Sequence, residues 1–533
     1  MTIGVAILLC VLIYYLIISI YANSDMLDGK YSLFMDESIT FDAVKRVYDA
    51  GSLKSFFINI LDSRDYRYGK IYYNLTALAS AFPRYIWGEA GQIFATRMFQ
   101  AIVLAGAYLI LVFALFRSWI IRGVAFTMLV IFPVTSYYAT MPKPEPIQIF
   151  FLALFLWRAK KNNFRLGMYW VFLGISLGAK VSLLPHVFCF GLIALYIERK
   201  QIFNKKVLLS CFSFIAGFLI GEPVILLGKV KAYLNHTIFA TSHGADDSSI
   251  TVMSWLKFIF KTLPPLYIYI FILSGVIAVA AIVLLIIRKT KNSRINLIDF
   301  EDKAHFLIYI GLFLLSIYML QTDRLWSSYL FLPFVTIIAG MFYYLDKMIY
   351  SGWRPAAVVA VLCMIVFIPL LPKALNNNTR AYYALAHRTD NPRYVRMNEE
   401  YIYIKSFLDS VAEKTSHRLK VFYDPHLFMV ASNEKYLVQP FYDWFHNWDK
   451  KFDIVIYYPK HTPEGESKPD KTNINYSNWV EAMKVYGEYV VDSIDDVKSG
   501  ELKYVKYSEP REPSSLRIYI RSDLYNDIFI KKD

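Results

Sequence analysis

Two adjacent carboxylates stand shortly after the first apolar run of the chain. Asp36 and Glu37 directly precede residues 39–50, whose spacing predicts an amphipathic helix. A carboxylate at a membrane surface can act as a general base, removing the proton of an acceptor hydroxyl or amine as a new bond forms. The pair also suits the first turn of a helix, where acids complement the helix dipole, and spacing alone favours that structural explanation.

Four cations are candidates for binding an anionic group such as a phosphate. They are Lys70 in Tyr68-Gly69-Lys70-Ile71, Arg97, Lys180 at the end of a glycine-rich run, and Arg324. Arginine can grip a phosphate through two parallel hydrogen bonds, whereas lysine acts as a point charge. All four stand near the ends of apolar segments, where long basic side chains also reach the interface without binding any ligand.

A third carboxylate, Glu145, stands at the start of an apolar helix. Three prolines within residues 142–146 predict an extended turn immediately before it. An acid at membrane depth is costly, so Glu145 is either functional or an ordinary charge at a helix N-terminus. His236 and His243 lack the i, i+4 spacing of a helical metal site, and the sequence predicts no metal ligands.

The elements that must position these residues are membrane helices. The chain of 533 residues is 56% hydrophobic and only 19% charged, against about 25% charged in soluble domains. Its apolar residues form continuous runs, so helices rather than alternating strands would cross the bilayer. The sequence predicts eleven spans, near residues 3–22, 93–116, 122–139, 146–157, 166–180, 182–198, 207–228, 265–287, 304–320, 326–345 and 356–372.

The charge distribution indicates topology rather than nucleic-acid binding. The net charge is +14, yet residues 373–533 contain 24 basic and 24 acidic residues, so the whole excess lies in residues 1–372. A nucleic-acid-binding protein would concentrate positive charge on its soluble part. Here Lys and Arg concentrate in alternate short loops, which the positive-inside rule assigns to the cytoplasm. This predicts a multi-pass protein of the plasma or inner membrane, with a cytoplasmic N-terminus and an extracytoplasmic C-terminal domain.

Two domains are predicted. Residues 1–372 form a transmembrane domain whose first outer segment, 23–92, carries amphipathic helices. Residues 373–533 form a mixed α/β domain. Its predicted elements are a helix at Tyr401–Glu413, short strands at Lys420–Tyr423, Asp453–Tyr458 and Leu516–Ile520, and a loop at Thr462–Asp470.

The order of these motifs resembles one family, the GT-C glycosyltransferases, and within it the protein O-mannosyltransferase and lipid A aminoarabinose transferase branch. The resemblance covers roughly residues 1–370. Gly69-Lys70-Ile71 keeps the lysine of a Lys-Pro-Pro run but lacks both prolines, and Glu145 replaces the commoner Asp. The other matching motifs are Asp36-Glu37, Arg97, Gly174–Lys180 and Arg324–Pro333.

The resemblance implies a GT-C-like fold and a mechanism. A polyprenyl-phosphate sugar would serve as donor, with its phosphate against Lys70, Arg97, Lys180 or Arg324. Asp36 would act as base on an extracytoplasmic acceptor (a glycan, lipid or protein), and attack on C1 would invert the anomeric centre. Glu37 and Glu145 complete the expected catalytic set. The resemblance implies no cofactor, although Glu37 leaves a divalent metal open.

Two other functional classes remain. A multi-spanning transporter or lipid flippase would explain the spans and the charges near them, but neither the outer domain nor the acid pair on a surface helix. A non-catalytic scaffold would use the C-terminal domain to bind a partner and would not need Asp36.

Overall fold

The computed structural model describes residues 2–24, 35–48, 50–62, 68–198, 205–234, 251–291, 306–321, 327–350, 354–386, 392–423, 430, 434–440, 452–457, 504–507 and 517–530. The chain divides into two compact units. The first comprises residues 1–24, 47–241 and 248–386, and the second comprises residues 25–46, 242–247 and 387–533. Arg324, His236, His243 and the predicted loop Thr462–Asp470 lie outside the described residues.

The first unit is helical throughout its described part. Its helices begin with α1, Thr2–Asn23, and α2, Met35–Tyr48, enters it at residue 47. The others are α3 (Leu53–Leu61), α4 (Lys70–Leu115), α5 (Trp119–Val130), α6 (Pro133–Thr140), α7 (Glu145–Lys161), α8 (Trp170–Ala179), α9 (Leu184–Ile197), α10 (Lys205–Gly221), α11 (Val230–Leu234), α12 (Val252–Thr262), α13 (Pro265–Lys291), α14 (Phe306–Gln321), α15 (Phe331–Ile349), α16 (Arg354–Ile365) and α17 (Phe367–Ala386). Short 3-10 turns at Val181–Leu183, Pro223–Leu227 and Ser327–Leu330 connect some of them.

The polytopic helical fold predicted from hydropathy is confirmed, and every predicted span overlaps at least one helix. Among the described residues, four helical stretches are long and apolar enough to cross a membrane unaided: Thr2–Asn23, Lys70–Leu115, Ser327–Ile349 and Ala357–Ala386. Helices α5 and α6 together form a fifth candidate, bent by 67°. The other spans contain shorter helices, so eleven crossings and their orientation remain predictions.

The predicted spans 122–139 and 356–372 each contain two helices, α5 with α6 and α16 with α17, and two other predicted spans differ from the helices at their ends. Helix α4 begins well before the predicted span but breaks at Gly88, whose φ of 62° lies in a region that side chains other than glycine rarely adopt. The two parts are residues 70–87 and residues 89–115. Helix α10 ends at Gly221 rather than near residue 228, because Glu222 and Pro223 begin a 3-10 turn.

Helices α8 and α10 pack backbone against backbone. Gly178 faces Gly221 so closely that a Cβ added to either glycine would lie 2.8 Å from the Cα of the other. Gly174 and Gly217, each one turn earlier, face the partner backbone in the same way. Two Gly-x-x-x-Gly motifs therefore meet, a pattern that allows close helix approach in membranes, where burial of apolar surface adds little driving force.

Hydrogen bonds near helix ends distinguish the two ends of the helical unit. At one end, termed the Asn23 end, Asn23 Nδ2 donates to the Ala139 carbonyl at 3.3 Å. At the other, termed the Asp346 end, the Asp346 carboxylate accepts from the backbone N–H groups of Arg117 and Ser118, both at 2.9 Å. The Asp346 end carries the basic residues of the described segments 117–122 and 158–165, and its assignment to the cytoplasmic side remains a prediction.

The second unit contains a small mixed sheet. Helix α18, Pro392–Glu413, precedes a five-stranded sheet with the order β2-β1-β3-β5-β4, and the chain continues into α19, Ser522–Tyr525, and a final helical turn, Asn526–Ile530. The strands are β1 (Leu419–Tyr423), β2 (Tyr436–Pro440), β3 (Ile454–Tyr457), β4 (Tyr504–Tyr507) and β5 (Arg517–Arg521). β1 pairs in parallel with β2 and β3, whereas β5 is antiparallel to β3 and β4. The three predicted strands and the predicted helix are confirmed, while β2 and β4 were not expected.

Candidate active site

Glu145 occupies a buried position at the Asn23 end, at the first residue of α7. The proline-rich turn before it ends at Pro144, the N-cap, and only 10% of the glutamate side chain is exposed. Oε1 accepts from Tyr138 Oη at 3.0 Å and pairs with Lys180 Nζ at 2.5 Å. Oε2 makes no hydrogen bond with any described residue. A buried carboxylate oxygen without a donor is able to accept a proton or hydrogen bond from a ligand.

Lys180 is held in place by its backbone. It follows α8, and its carbonyl accepts from Gln148 Nε2 on α7 at 2.5 Å. Ser182 Oγ donates back to Gln148 Oε1 at 3.3 Å, and Ser176 Oγ donates to the Gln148 carbonyl at 2.7 Å. These bonds tie the end of α8 to the first turn of α7, so the ion pair with Glu145 joins two backbone segments that are already fixed to each other.

Tyr68 lies between two lysines. Its hydroxyl accepts from Lys143 Nζ at 2.9 Å, and the centre of its ring lies 5.5 Å from Lys180 Nζ. Both distances suit cation contacts with a tyrosine. The group formed by Tyr68, Tyr138, Lys143, Glu145 and Lys180 is called the Tyr68 cluster below. Neither Tyr68 nor Lys143 was singled out from the sequence, since each has only an ordinary interface residue type.

Lys70 begins α4 beside this cluster. Its side chain is fully buried, and Nζ lies 5.6 Å from the centre of the Tyr73 ring. The Tyr73 ring in turn lies 6.4 Å from the Tyr68 ring. The preceding residue, Gly69, donates its N–H to the Ala179 carbonyl at 2.9 Å. The lysine is thereby anchored next to the end of α8, where Lys180 stands.

Glu222 is a further buried acid near Lys70, and sequence reasoning missed it. It follows the last residue of α10, only 1% of it is exposed, and Oε1 accepts from the Val224 N–H at 3.3 Å. The sequence pattern that could have indicated Glu222 is an acid directly after the second Gly-x-x-x-Gly motif, Gly217–Gly221.

Arg97 is fully buried in the second part of α4. It adjoins Met98, whose Sδ lies 3.8 Å from Asn23 Nδ2, so the arginine stands at the same end of the unit as the Tyr68 cluster. Among membrane helices, a buried guanidinium is costly unless it has polar or charged partners. Its position is compatible with the predicted role in binding an anion.

The acid pair belongs to the second compact unit. Glu37 is fully buried on α2, whereas the side chain of Asp36 and all of Arg324 lie outside the described residues. The structure therefore brings Lys70, Lys180 and Glu145 to one end of the first unit, and the placement of Asp36 and Arg324 against them remains a prediction. Among the described residues, no three His, Cys, Asp or Glu side chains form a group able to hold a metal ion.

Charge in this region favours binding of an anion. Three lysines, Lys70, Lys143 and Lys180, and two carboxyls, Glu145 and Glu222, lie in this part of the first unit, and Lys180 pairs with Glu145. The sum for these five groups is +1 with both carboxyls ionised and +2 when Glu222 is protonated. In a buried setting such an excess attracts a phosphate far more strongly than it would in water.

The solved structures that resemble this chain include two crystal structures of ArnT from Cupriavidus metallidurans, one bound to undecaprenyl phosphate and one in the apo state. They are 11% and 10% identical to this chain, with a TM-score of 0.49 in each case, and the matches cover 95% of this chain and 97% of theirs. ArnT belongs to the GT-C branch that the sequence motifs resemble. At this identity and TM-score, no ligand and no residue role passes from ArnT to this chain. No protein-family model and no curated protein matches the sequence.

Proposed function

We propose that the protein is a membrane glycosyltransferase that takes its sugar from a polyprenyl-phosphate donor. One observation carries this proposal: Lys180 and Lys143 contact Tyr68, while Lys180 also pairs with a buried glutamate at the ends of apolar helices. Such a site offers a phosphate its counter-ions and keeps the lipid tail in the bilayer. The order of motifs along the chain supports the same function.

In the proposed reaction, the protein acts mainly by stabilising charge and forms no covalent bond with the sugar. The donor phosphate would lie against Lys70, Arg97, Lys180 and Arg324. The acceptor oxygen or nitrogen forms a bond to C1 of the sugar as the bond between C1 and the phosphate oxygen breaks, which inverts the anomeric centre. The leaving lipid phosphate gains negative charge in this step, so preplaced cations lower the barrier.

Asp36 is the proposed general base, and it takes the proton of the acceptor. Glu37 would orient Asp36 through a hydrogen bond or through the local field. Glu145 would accept a hydrogen bond from the incoming acceptor at Oε2, the oxygen that makes no hydrogen bond with a described residue. In these roles Lys180 both balances the charge of Glu145 and meets the donor, so the two substrates would be aligned by one ion pair.

The test is sugar transfer by purified protein in lipid nanodiscs. A panel of synthetic short-chain prenyl-phosphate hexoses and pentoses would serve as donors, and released prenyl phosphate would be measured. We expect transfer from at least one donor, lost in D36N and reduced at least about 100-fold in K180M, because each removes a charge that acts in the transition state. K261M, which changes an exposed lysine at the end of α12, is the matched control.

A transporter would give a different result. It would release no prenyl phosphate from any donor, and it would move a labelled lipid or solute across proteoliposomes at a rate that D36N leaves unchanged. That outcome would remove the glycosyltransferase proposal and retain only the membrane architecture. A non-catalytic scaffold would show neither activity.

A further inference from the structure

One face of the second part of α4 is buried along most of its length. Its positions recur every three or four residues, which is the period of a helix, and each is at most 3% exposed. They are Thr96, Arg97, Gln100, Leu104, Ala107 and Leu111. The first three are polar and the last three are apolar. This buried row is therefore polar only near the Asn23 end of the unit, where Met98 stands.

The side-chain amide of Gln100 lacks the partners that buried amides normally have. Neither Oε1 nor Nε2 makes a hydrogen bond with any described residue, although the side chain is fully buried. Gln148, which is equally buried on α7, differs in this respect: its Nε2 donates to the Lys180 carbonyl, and its Oε1 accepts from Ser182 Oγ. Burying an amide without partners destabilises a fold, so a protein interior rarely contains one unless a ligand or a bound water completes it.

Thr96, one turn before Gln100, carries a second polar group of this kind. Its Oγ1 is buried and makes no hydrogen bond with any described residue. Buried threonines in other helices satisfy the hydroxyl by donating to the carbonyl four residues earlier, as Thr127 and Thr336 both do at 2.8 Å. Thr96 and Gln100 thus present a hydroxyl and an amide side by side, and both groups can donate as well as accept.

The register between α4 and α7 places Gln100 at the depth of Glu145. The two helices pack side by side and run in the same direction. A Cβ on Gly106 would lie 3.5 Å from the Phe150 ring, and the Lys160 ammonium donates to the last carbonyl of α4. Both contacts join residues with nearly the same separation in sequence. Because the two helices rise equally per residue, extending this register toward the Asn23 end brings Gln100 level with Glu145.

We propose that Gln100 is a specificity-determining residue that hydrogen-bonds a hydroxyl group of the transferred sugar, with Thr96 binding the same or the adjacent hydroxyl. This inference rests on the proposed function and names the group through which the site recognises its donor. Positions three apart on a helix are neighbours, with about 5–6 Å between Cβ atoms, so Gln100 stands beside Arg97, a predicted ligand of the donor phosphate. C1 of the sugar is joined to that phosphate through one oxygen, so a phosphate bound at Arg97 brings the sugar ring next to Gln100.

A substrate-binding amide and a structural amide have opposite effects on stability when they are removed. Q100M replaces the amide by an apolar group of similar volume and so removes two buried polar atoms that no described residue satisfies. Its unfolding temperature should equal or exceed that of the wild type, whereas removal of an amide bonded within the protein would lower it. Q92M is the matched control, because Gln92 Oε1 accepts from Arg84 Nη1 at 3.1 Å and its loss should lower the unfolding temperature.

The experiment measures kcat/KM for sugar transfer by the full chain in nanodiscs. The probes are the short-chain prenyl-phosphate hexose that the wild type uses best and a set of its analogues, each of which lacks one hydroxyl. With one analogue, the wild type should lose at least about tenfold in kcat/KM, because the amide is then left without its ligand. Q100M should lose a similar factor with the parent hexose but at most about threefold more with that analogue, since both changes remove the same hydrogen bond.

Two further variants and one further ligand separate sugar recognition from other effects. T96V keeps the shape of the threonine and removes its hydroxyl, so it should weaken discrimination against the same analogue or against the analogue lacking the adjacent hydroxyl. Q92M should keep the wild-type preference among all the analogues. The Kd of Q100M for prenyl phosphate without a sugar should stay within about threefold of the wild-type value, because the phosphate ligands are unchanged.

Several results would overturn the inference while leaving the glycosyltransferase proposal intact. One is a Q100M protein that is less stable than the wild type or does not fold, since its amide would then be bonded within the protein. Another is transfer by Q100M with wild-type kcat/KM, or with the same loss for the parent hexose and every analogue. A third is an effect of Q100M confined to the KM of the acceptor, which would assign the amide to the other substrate. No transfer by the wild type from any donor would overturn both proposals.

Discussion

Replacing Gly69 by alanine should displace Lys70 and loosen the contact between the start of α4 and the end of α8. The backbone of Gly69, with φ −63° and ψ 145°, is one that alanine adopts readily, so the effect would arise from crowding alone. The added Cβ would lie 2.7 Å from Ala179 Cα, whereas ordinary contacts begin at 3.4 Å. The segment must therefore move back by about 0.7 Å or more, and further to clear the Gly178 oxygen.

A displacement of this size is enough to weaken a charge-assisted hydrogen bond from Lys70 to a phosphate. Such a bond contributes about 1.5–3 kcal/mol. Each 1.4 kcal/mol corresponds to about a factor of ten, so the Kd for a polyprenyl phosphate should rise about 10- to 100-fold in G69A. The Gly69 hydrogen bond to Ala179, 2.9 Å long, would also stretch, which would cost about 1–2 kcal/mol of unfolding free energy.

The measurement is binding of a radiolabelled short-chain polyprenyl phosphate to purified protein, with the unfolding temperature followed in parallel. G51A is the matched control, because Gly51 lies in the same outer segment and a Cβ there would meet nothing within 4 Å. A Kd for G69A within threefold of that for G51A would refute the placement of Lys70 at the phosphate. Equal losses of folded protein in both variants would refute the steric argument.

Three further substitutions test the ion pairs and the far end of the helical unit. K180M should lower the unfolding temperature, because a buried Glu145 without its partner lowers the free energy of unfolding by about 3 kcal/mol. Adding E145Q to the same chain should restore part of that loss, and the absence of any recovery would contradict the ion pair. Asp346→Ala should lower the free energy of unfolding by about 1–2 kcal/mol, because the backbone N–H groups of Arg117 and Ser118 lose their acceptor at the Asp346 end. It should leave the Kd for polyprenyl phosphate unchanged, and an altered Kd would contradict the separation of the two ends. Asp453→Asn should speed amide exchange in β3 and β5 by weakening the 2.7 Å contact with Arg521, and unchanged exchange would contradict this contribution.

Much of the fold was predictable because the bilayer imposes a strong pattern on the sequence. Each continuous apolar run is helical over most of its length, since backbone groups in hydrocarbon must be satisfied within the segment. Helix ends were harder to predict. The apolar residues Val224–Leu227 suggested that α10 continues to residue 228, whereas Pro223 follows Gly221 closely enough to end the helix there. The break at Gly88 was missed for a related reason, because hydropathy does not report backbone dihedral angles.

The site was predictable in residue type but not in pairing. Lys180 and Glu145 were each expected near a helix end, yet sequence spacing gave no indication that the end of α8 contacts the start of α7. Glu222 lies inside the predicted span 207–228, so hydropathy does not mark it as a site residue. In the second unit, β3 and β5 each contain at least two β-branched residues, whereas β2 and β4 contain one each and depend on pairing with β1 and β5. Short strands of this kind are determined mainly by their neighbours in the sheet.

The glycine contacts explain how a site of opposite charges can be placed accurately in a membrane. Apolar side chains alone distinguish poorly between neighbouring helix positions, because lipid tails are as apolar as the residues they contact. Backbone-to-backbone contact at Gly178 and Gly221 allows α8 and α10 little sliding along each other. Lys180 stands two residues after Gly178, and Glu222 stands one residue after Gly221. Charged groups at helix ends are thus positioned by residues that carry no charge. It follows that substitutions at these glycines should alter phosphate affinity more than substitutions of similar volume at Gly191 or Gly275, where an added Cβ meets nothing within 4 Å.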